Sequence, residues 1–260
     1  MTSETSLADQ AVRRLDRAPS PELVAVIPAA GEGGEMYPLT AAMPKALVPI
    51  DDMPLLVHIL KGLDASVFKE ALVLCDVWHR MISHYLEAFK SDIKLHVTCL
   101  QRPREEKPPA ALQALLSQLS DPFLLHYCDI LLEPVDWTDV YNEYHRKKHR
   151  NDIIAMALVS AEFQYPVGVA NMDSKGLITQ FRQKPGGILA GYANCAVALL
   201  SKQFVLDYVN PKDQDVFDYS LDQASRKGRV GGFSVGHWHH LQQLRDWLEA
   251  QKDHYPHLND

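Results

Sequence analysis

Four places along the chain carry residue types that could do chemistry. The first is a glycine turn. An apolar run, Leu23-Val24-Ala25-Val26-Ile27, stops at Pro28 and empties into Ala29-Ala30-Gly31-Glu32-Gly33-Gly34. A strand that opens into such a turn presents backbone N–H groups with no side chains in front of them, and such groups cradle phosphate oxygens. A plain tight turn has the same composition. The spacing also lacks the third glycine of a dinucleotide fingerprint, and no G-K-[ST] follows it. The second place is Lys45, set after Pro44 and before an apolar run at residues 46–50. It is either a cation aimed at a ligand or a solvated surface lysine. The third is Asp129, which ends the apolar run of residues 122–127 and can ligate a cation or cap a turn. The fourth is the crowd of His237, His239 and His240 around Trp238, either a set of imidazole ligands or a polar strand end.

These groups need a scaffold, and the periodicity of the chain describes one. Strands are expected at residues 23–27, 71–75, 95–100 and 122–127, with helices starting at residue 54 and covering 79–89 and 110–119 between them. This alternation argues for an α/β domain, a mixed but mostly parallel sheet flanked by helices. Ligands collect at the carboxyl ends of strands in such sheets, which is where the glycine turn and Asp129 both fall. The second half is less regular. A helix is expected at 139–148 and strands at 153–159, 167–170 and 177–181, the last two joined by the turn Asp173-Ser174-Lys175-Gly176. Helices at 203–209 and 220–227, a strand at 230–237 and a terminal helix at 241–252 complete a subregion that closes over the first half. Residues 1–21 read as a polar N-terminal extension and residues 22–260 as one domain.

Composition narrows the function classes. The 260 residues carry a net charge of −7 with basic and acidic residues interspersed, which gives no support for nucleic-acid binding. The dense basic run of residues 145–150 fits a helix end that complements the helix dipole. Four well-separated cysteines show no C-x-x-C pattern and read as free thiols of a reducing compartment. No window approaches the roughly 18 apolar residues of a membrane span, and no apolar leader opens the chain. A cytoplasmic protein without membrane contact is expected.

Longer patterns are more specific. Ala29-Ala30-Gly31-Glu32-Gly33, Met36-Tyr37-Pro38-Leu39-Thr40, Pro44-Lys45-Ala46-Leu47-Val48-Pro49-Ile50 and Pro54-Leu55-Leu56-Val57-His58-Ile59-Leu60 follow one another within about forty residues. Together they resemble the signature of the sugar-1-phosphate nucleotidyltransferases, the nucleotide-sugar pyrophosphorylases. Phe123 to Asp129, Val167-Gly168-Val169, Phe181-Arg182-Gln183-Lys184-Pro185, Asn194-Cys195-Ala196-Val197 and Gly236-His237-Trp238 extend the resemblance to about residue 247. It implies the Rossmann-like nucleotide-diphospho-sugar transferase fold. It also implies a reaction in which a sugar 1-phosphate oxygen attacks the α-phosphorus of a nucleoside triphosphate and pyrophosphate leaves. The implied nucleotide contacts are Ala29, Ala30, Gly31 and Gly33, with Gln101 reading the base. Lys45 reaches the triphosphate, Asp129 holds Mg²⁺, Lys184 binds the sugar phosphate, and Gly168 and Asn194 line the sugar pocket. The resemblance leaves room for a homo-oligomer.

The departures from that family concern charge. Where the family reads G-T-R-L, this chain reads Gly33-Gly34-Glu35-Met36, which exchanges a phosphate-binding arginine for a carboxylate. His240 stands where the family has its second metal aspartate. An imidazole suits Mn²⁺, Zn²⁺ or Co²⁺ better than Mg²⁺, so Asp129 with His240 is the expected metal pair for Mg²⁺, Mn²⁺ or another divalent ion. Pro108-Pro109 replaces a glycine-rich segment, and Ala196 and Ala198 replace a glycine and a tyrosine. The leading reading is a metal-dependent nucleotidyltransferase with a reshaped site. The alternative is a catalytically degenerate member that binds a nucleotide or nucleotide sugar and regulates.

Overall fold

A computed structural model describes residues 22–31, 33–103, 106–163, 167–183, 190–217 and 219–254. Its strands are β1 (Leu23–Pro28), β2 (Pro49–Ile50), β3 (Met53–Pro54), β4 (Phe68–Cys75), β5 (His96–Gln101), β6 (Phe123–His126), β7 (Ile130–Leu132), β8 (Ala155–Ser160), β9 (Val169–Met172), β10 (Ile178–Arg182), β11 (Tyr192–Leu200), β12 (Val230–Val235) and β13 (Trp238–His240). The helices are α1 (Leu55–Gly62), α2 (His79–Ala88), α3 (Pro108–Leu115), α4 (Trp137–Asn151), α5 (Lys202–Tyr208), α6 (Ser220–Ser225) and α7 (Leu244–His254).

β1 occupies the middle of a nine-stranded sheet, and its composition explains why. All six of its residues are buried, so both faces of the strand must be covered. It pairs in parallel with β4 on one side and β6 on the other, and β5 continues the parallel order beyond β4. The period of two sends Ala25 and Ile27 into one apolar cluster and Val24 and Val26 into the other. β11 runs antiparallel to β6 and β8, and β12 runs parallel to β8. The mostly parallel α/β sheet expected from the sequence is therefore present. The hairpin of β9 and β10 covers the other half of β11.

Several boundaries differ from the periodicity. β11 is a nine-residue strand that no pattern announced, because its alanines, asparagine and cysteine show no period of two. α3 starts at Pro108, since prolines are tolerated where a helix has no N–H to lose, and ends at Leu115 rather than near residue 119. α4 is longer than expected because Asp136 caps it, accepting from the Asp139 N–H at 2.9 Å. The basic run does sit in the last turn of α4, with Lys148, His149 and Arg150 beside the carbonyl end. The expected strand at 230–237 breaks after Val235. β12 stays in the main sheet, while β13 leaves it and pairs with β7 in a two-stranded ladder. All four cysteines are free thiols, Cys75 and Cys195 buried and Cys99 and Cys128 half-buried.

Candidate functional site

The carboxyl ends of β1 and β6 open onto one cleft of about 350 Å³. Its floor is the glycine turn, its walls are Lys45 and Asp129, and Pro108 and Gln242 close its rim. Of the four backbone groups expected to meet phosphate, Ala29 is already committed: its N–H donates to the Leu74 carbonyl at 2.9 Å and extends the β1–β4 ladder. No hydrogen bond among the described residues takes up the N–H groups of Ala30, Gly31 or Gly33. Gly33 has φ 59°. A Cβ there would lie 3.0 Å from Thr40 Cγ2 and 3.2 Å from Lys45 Cβ, so glycine lets the turn close against the lysine. Thr40 Oγ1 locks the closure by donating to the Gly33 carbonyl at 2.7 Å.

Lys45 opens a single 3₁₀ turn, Lys45–Leu47, behind an extended Pro44. Ala46 and Leu47 are buried and anchor that turn, which leaves the lysine pointing into the cleft. Its Nζ donates to Asp129 Oδ2 at 2.9 Å, and His240 Nε2 lies 3.7 Å from the same oxygen. The Asp129 backbone is pinned where β13 passes, its carbonyl accepting from the Leu241 N–H at 2.8 Å. Burial disfavours the ionised Asp129 carboxylate, but the Lys45 charge and the His240 hydrogen bond outweigh it and hold the carboxyl well below its usual range. The neighbouring thiol goes the other way. Burial and then the Asp129 charge push Cys128 up to about 12, so it stays protonated. The cleft thus offers open N–H donors, one ammonium and the Asp129 carboxylate, the kit for holding a polyphosphate and a cation.

The structure brings Ala30, Gly31, Gly33, Lys45 and Asp129 together around the cleft, and His240 meets Asp129 without being among the cleft-lining residues. Gln101 ends β5 exposed and is not among the cleft-lining residues. Gly168 and Asn194 meet each other instead: the Asn194 N–H donates to the Gly168 carbonyl at 2.8 Å. Neither lines the cleft. Asn194 is buried, and its Oδ1, like Gln183 Oε1, finds no hydrogen-bond partner among the described residues. A Cβ on Gly168 would sit 2.7 Å from both Gln183 Oε1 and Phe181 Cζ, so this glycine is required for packing. Lys184 lies outside the described residues. Gln242 is a cleft residue that sequence reasoning missed, because nothing in its spacing distinguishes it. Glu35 also lines the cleft, exposed, and no cation pairs with it among the described residues. Lys45 is the only lysine or arginine among the described lining residues. Arg102 lies outside the lining, and Arg104 is not among the described residues.

A parallel α/β sheet with a glycine turn, a lysine and an aspartate converging at its strand ends defines a nucleotide-handling fold. The nucleotidyl transferase family model matches residues 24–231. The chain belongs to that family. Mannose-1-phosphate guanylyltransferase 1 of Arabidopsis thaliana is 25% identical over 230 residues, covering 86% of this chain and 62% of the relative. The mannose-1-phosphate guanyltransferase of Schizosaccharomyces pombe is 22% identical over 228 residues, with the same coverage. The chain therefore spans about 62% of the length of these curated relatives. Among solved structures, a UDP-glucose pyrophosphorylase complexed with UDP-glucose superposes with a TM-score of 0.72 at 15% identity, covering 91% of this chain and 99% of the other. A putative glucose-1-phosphate thymidylyltransferase from Bacillus anthracis gives 0.72 at 17% identity, covering 88% and 94%. The fold is that of the Rossmann-like nucleotidyltransferases.

Proposed function

We propose that the cleft binds a nucleoside triphosphate and transfers its nucleotidyl group to a sugar 1-phosphate, releasing pyrophosphate. The Lys45–Asp129 pair at 2.9 Å beside the open N–H groups of the glycine turn carries this reading. The chemistry asks for alignment of two anions and neutralisation of charge, not for a covalent intermediate. Ala30, Gly31 and Gly33 receive phosphate oxygens. Lys45 exchanges part of its pairing with Asp129 for the triphosphate. The orphaned amide oxygens of Gln183 and Asn194 beside Gly168 suit the hydroxyl donors of a sugar, and Lys184 receives its phosphate.

The donor set beside the triphosphate is one carboxylate and one imidazole. A divalent ion that also takes phosphate oxygens fits it, and the imidazole favours Mn²⁺ over Mg²⁺. Asp129 and His240 would hold that ion, which supplies positive charge to the phosphates when bound. The guanylyltransferase relatives make GTP with mannose 1-phosphate the first pair to try, and UTP or dTTP with glucose 1-phosphate the next. A second reading rests on Glu35. A carboxylate in the phosphate cleft with no described cation beside it suits a nucleotide-sugar-binding or regulatory subunit that does not turn over.

Calorimetric titration with each triphosphate and Mg²⁺ or Mn²⁺, followed by an assay of pyrophosphate release with sugar 1-phosphates, separates the readings. Binding with release supports the transferase. Binding without release supports the regulatory subunit. No binding of any triphosphate or nucleotide sugar overturns both.

A further inference from the structure

β13 has two faces, and only one of them serves the cleft. Side chains alternate along a strand, so His240 turns toward Asp129 while His237 and His239 emerge on the opposite side. There they meet Asp253 from the last turn of α7. His237 Nε2 lies 3.2 Å from His239 Nε2 and 3.1 Å from Asp253 Oδ2, and His239 Nε2 lies 3.0 Å from the same carboxylate oxygen. Three donor atoms, from α7, β13 and the residue just before β13, with edges of 3.0–3.2 Å, thus form a nearly equilateral triangle. A Zn²⁺ ion with bonds of about 2.0–2.1 Å sits roughly 1 Å above such a triangle, and the edges of its tetrahedron measure about 3.3 Å.

The surroundings are built to hold that triangle. His237 Nδ1 faces Glu162 Oε2 at 2.6 Å, the carboxylate contact that orients a ligating imidazole and fixes which nitrogen points inward. Glu162 is itself held twice. Its carbonyl accepts from Trp238 Nε1 at 3.0 Å, and its N–H donates to Ser160 Oγ at 3.0 Å. The same Ser160 hydroxyl donates to the Gly236 carbonyl at 2.9 Å, and the His237 N–H reaches Glu133 Oε2 at 3.3 Å. The two histidines and Asp253 also line a second cavity of about 530 Å³, separate from the nucleotide cleft, which leaves room for a fourth donor.

We propose that His237, His239 and Asp253 form a tetrahedral site for a divalent transition metal of the Zn²⁺ type, with its fourth position open to the second cavity. Two imidazoles and a carboxylate select Zn²⁺, Co²⁺ and their neighbours over Mg²⁺. The metal ties α7 to β13 one residue away from His240. This inference is independent of the proposed transferase activity.

The test uses the full chain, stripped with a chelator, titrated with Zn²⁺ by calorimetry and loaded with Co²⁺ for visible spectroscopy. One tightly bound Zn²⁺ per chain is expected in the absence of nucleotide, since the Asp129–His240 pair offers only two protein donors. This tight step should persist in Asp129→Asn and be lost in Asp253→Ala or His237→Gln. Glu162→Gln should weaken affinity by about 10–100-fold, the usual cost of losing a partner that orients a ligand. The Co²⁺ form should show intense tetrahedral bands without thiolate charge transfer, a readout that decides the matter on the unmodified chain if a variant misfolds. Absence of Zn²⁺ binding, binding lost in Asp129→Asn but kept in Asp253→Ala, or weak six-coordinate or thiolate-type Co²⁺ spectra would overturn the assignment.

Discussion

Lys45 and Glu35 face the same cleft with opposite charge, and the balance between them sets how well it holds a phosphate chain. Two unit charges about 4 Å apart interact by about 4 kcal/mol at an effective dielectric near 20, less where solvent and salt screen them. Glu35→Arg removes a repulsion and adds a bidentate donor, so the Kd for a triphosphate should fall by about 10–100-fold in calorimetry. An unchanged Kd would mean that Glu35 does not meet phosphate. A second residue-scale prediction concerns His126, which is buried between β1 and β11 and whose Nδ1 faces the Tyr127 carbonyl at 2.9 Å. Burial holds the imidazole neutral and pushes it down to about 4. The unfolded chain protonates there below about pH 6.5. Between those values the unfolded state binds more protons, so stability falls as pH falls. This group alone should remove about 3 kcal/mol between pH 7 and pH 4. His126→Asn keeps a donor for the carbonyl and should flatten that part of the denaturant-midpoint profile against pH.

At the scale of elements, β11 shows how one strand serves three neighbours. Its Val197–Leu200 half pairs with β6, and Tyr192 and Ala193 pair with β9. The ladder with β8 shifts register between Asn194 and Ala198. Ala196 sits inside that irregularity with φ 51°, a conformation that crowds its Cβ against the following carbonyl. Glycine stands here in the family pattern. Ala196→Gly should therefore stabilise the chain by up to about 1 kcal/mol, since relief of the left-handed strain exceeds the entropy glycine adds to the unfolded chain. Thermal melts should rise by about 2–4 °C, and a fall would show that the bulge is held by packing instead. Gly33 makes the converse case. Its left-handed φ and the closeness of Thr40 leave no space for a side chain, so the turn and Lys45 move together or not at all.

At the scale of the molecule, the end of the described chain closes over its beginning. Trp247 Nε1 on α7 donates to the Pro49 carbonyl at 2.7 Å. Gln251 reaches the same carbonyl with its Nε2 at 3.1 Å and accepts from the Asp51 N–H at 3.0 Å. These bonds, which span about 200 residues of sequence, fasten the β2–β3 hairpin that directly follows the Lys45 turn. Trp247→Ala removes an indole packed against the core and its bond to Pro49. The expected loss is about 2 kcal/mol, or roughly 4–8 °C in Tm. The KM for the triphosphate should rise with it, because the segment carrying Lys45 loses its backing. A lower Tm with KM unchanged would confine α7 to a structural role.

Much of this architecture was legible along the chain. A strand buried on both faces needs an unbroken apolar run, and a turn that meets phosphate needs small residues, so β1 and the glycine turn stand out from local composition, while Lys45 and Asp129 gain their roles from the longer pattern that resembles the family. The α/β alternation followed from hydrophobic periods of two and 3.6, which the chain carries in its own order. What the sequence left unmarked depends on contacts between distant segments. β11 is a strand because three neighbours claim its edges, not because its residues favour one. Ala29 spends its N–H on Leu74, a residue on another strand. His237, His239 and His240 read as one cluster, yet the strand alternation sends His240 to Asp129 and the other two into a second cavity, where Asp253 joins them only because α7 folds back. Strand alternation is a local rule, but which face meets which neighbour is set by the packing of the whole fold.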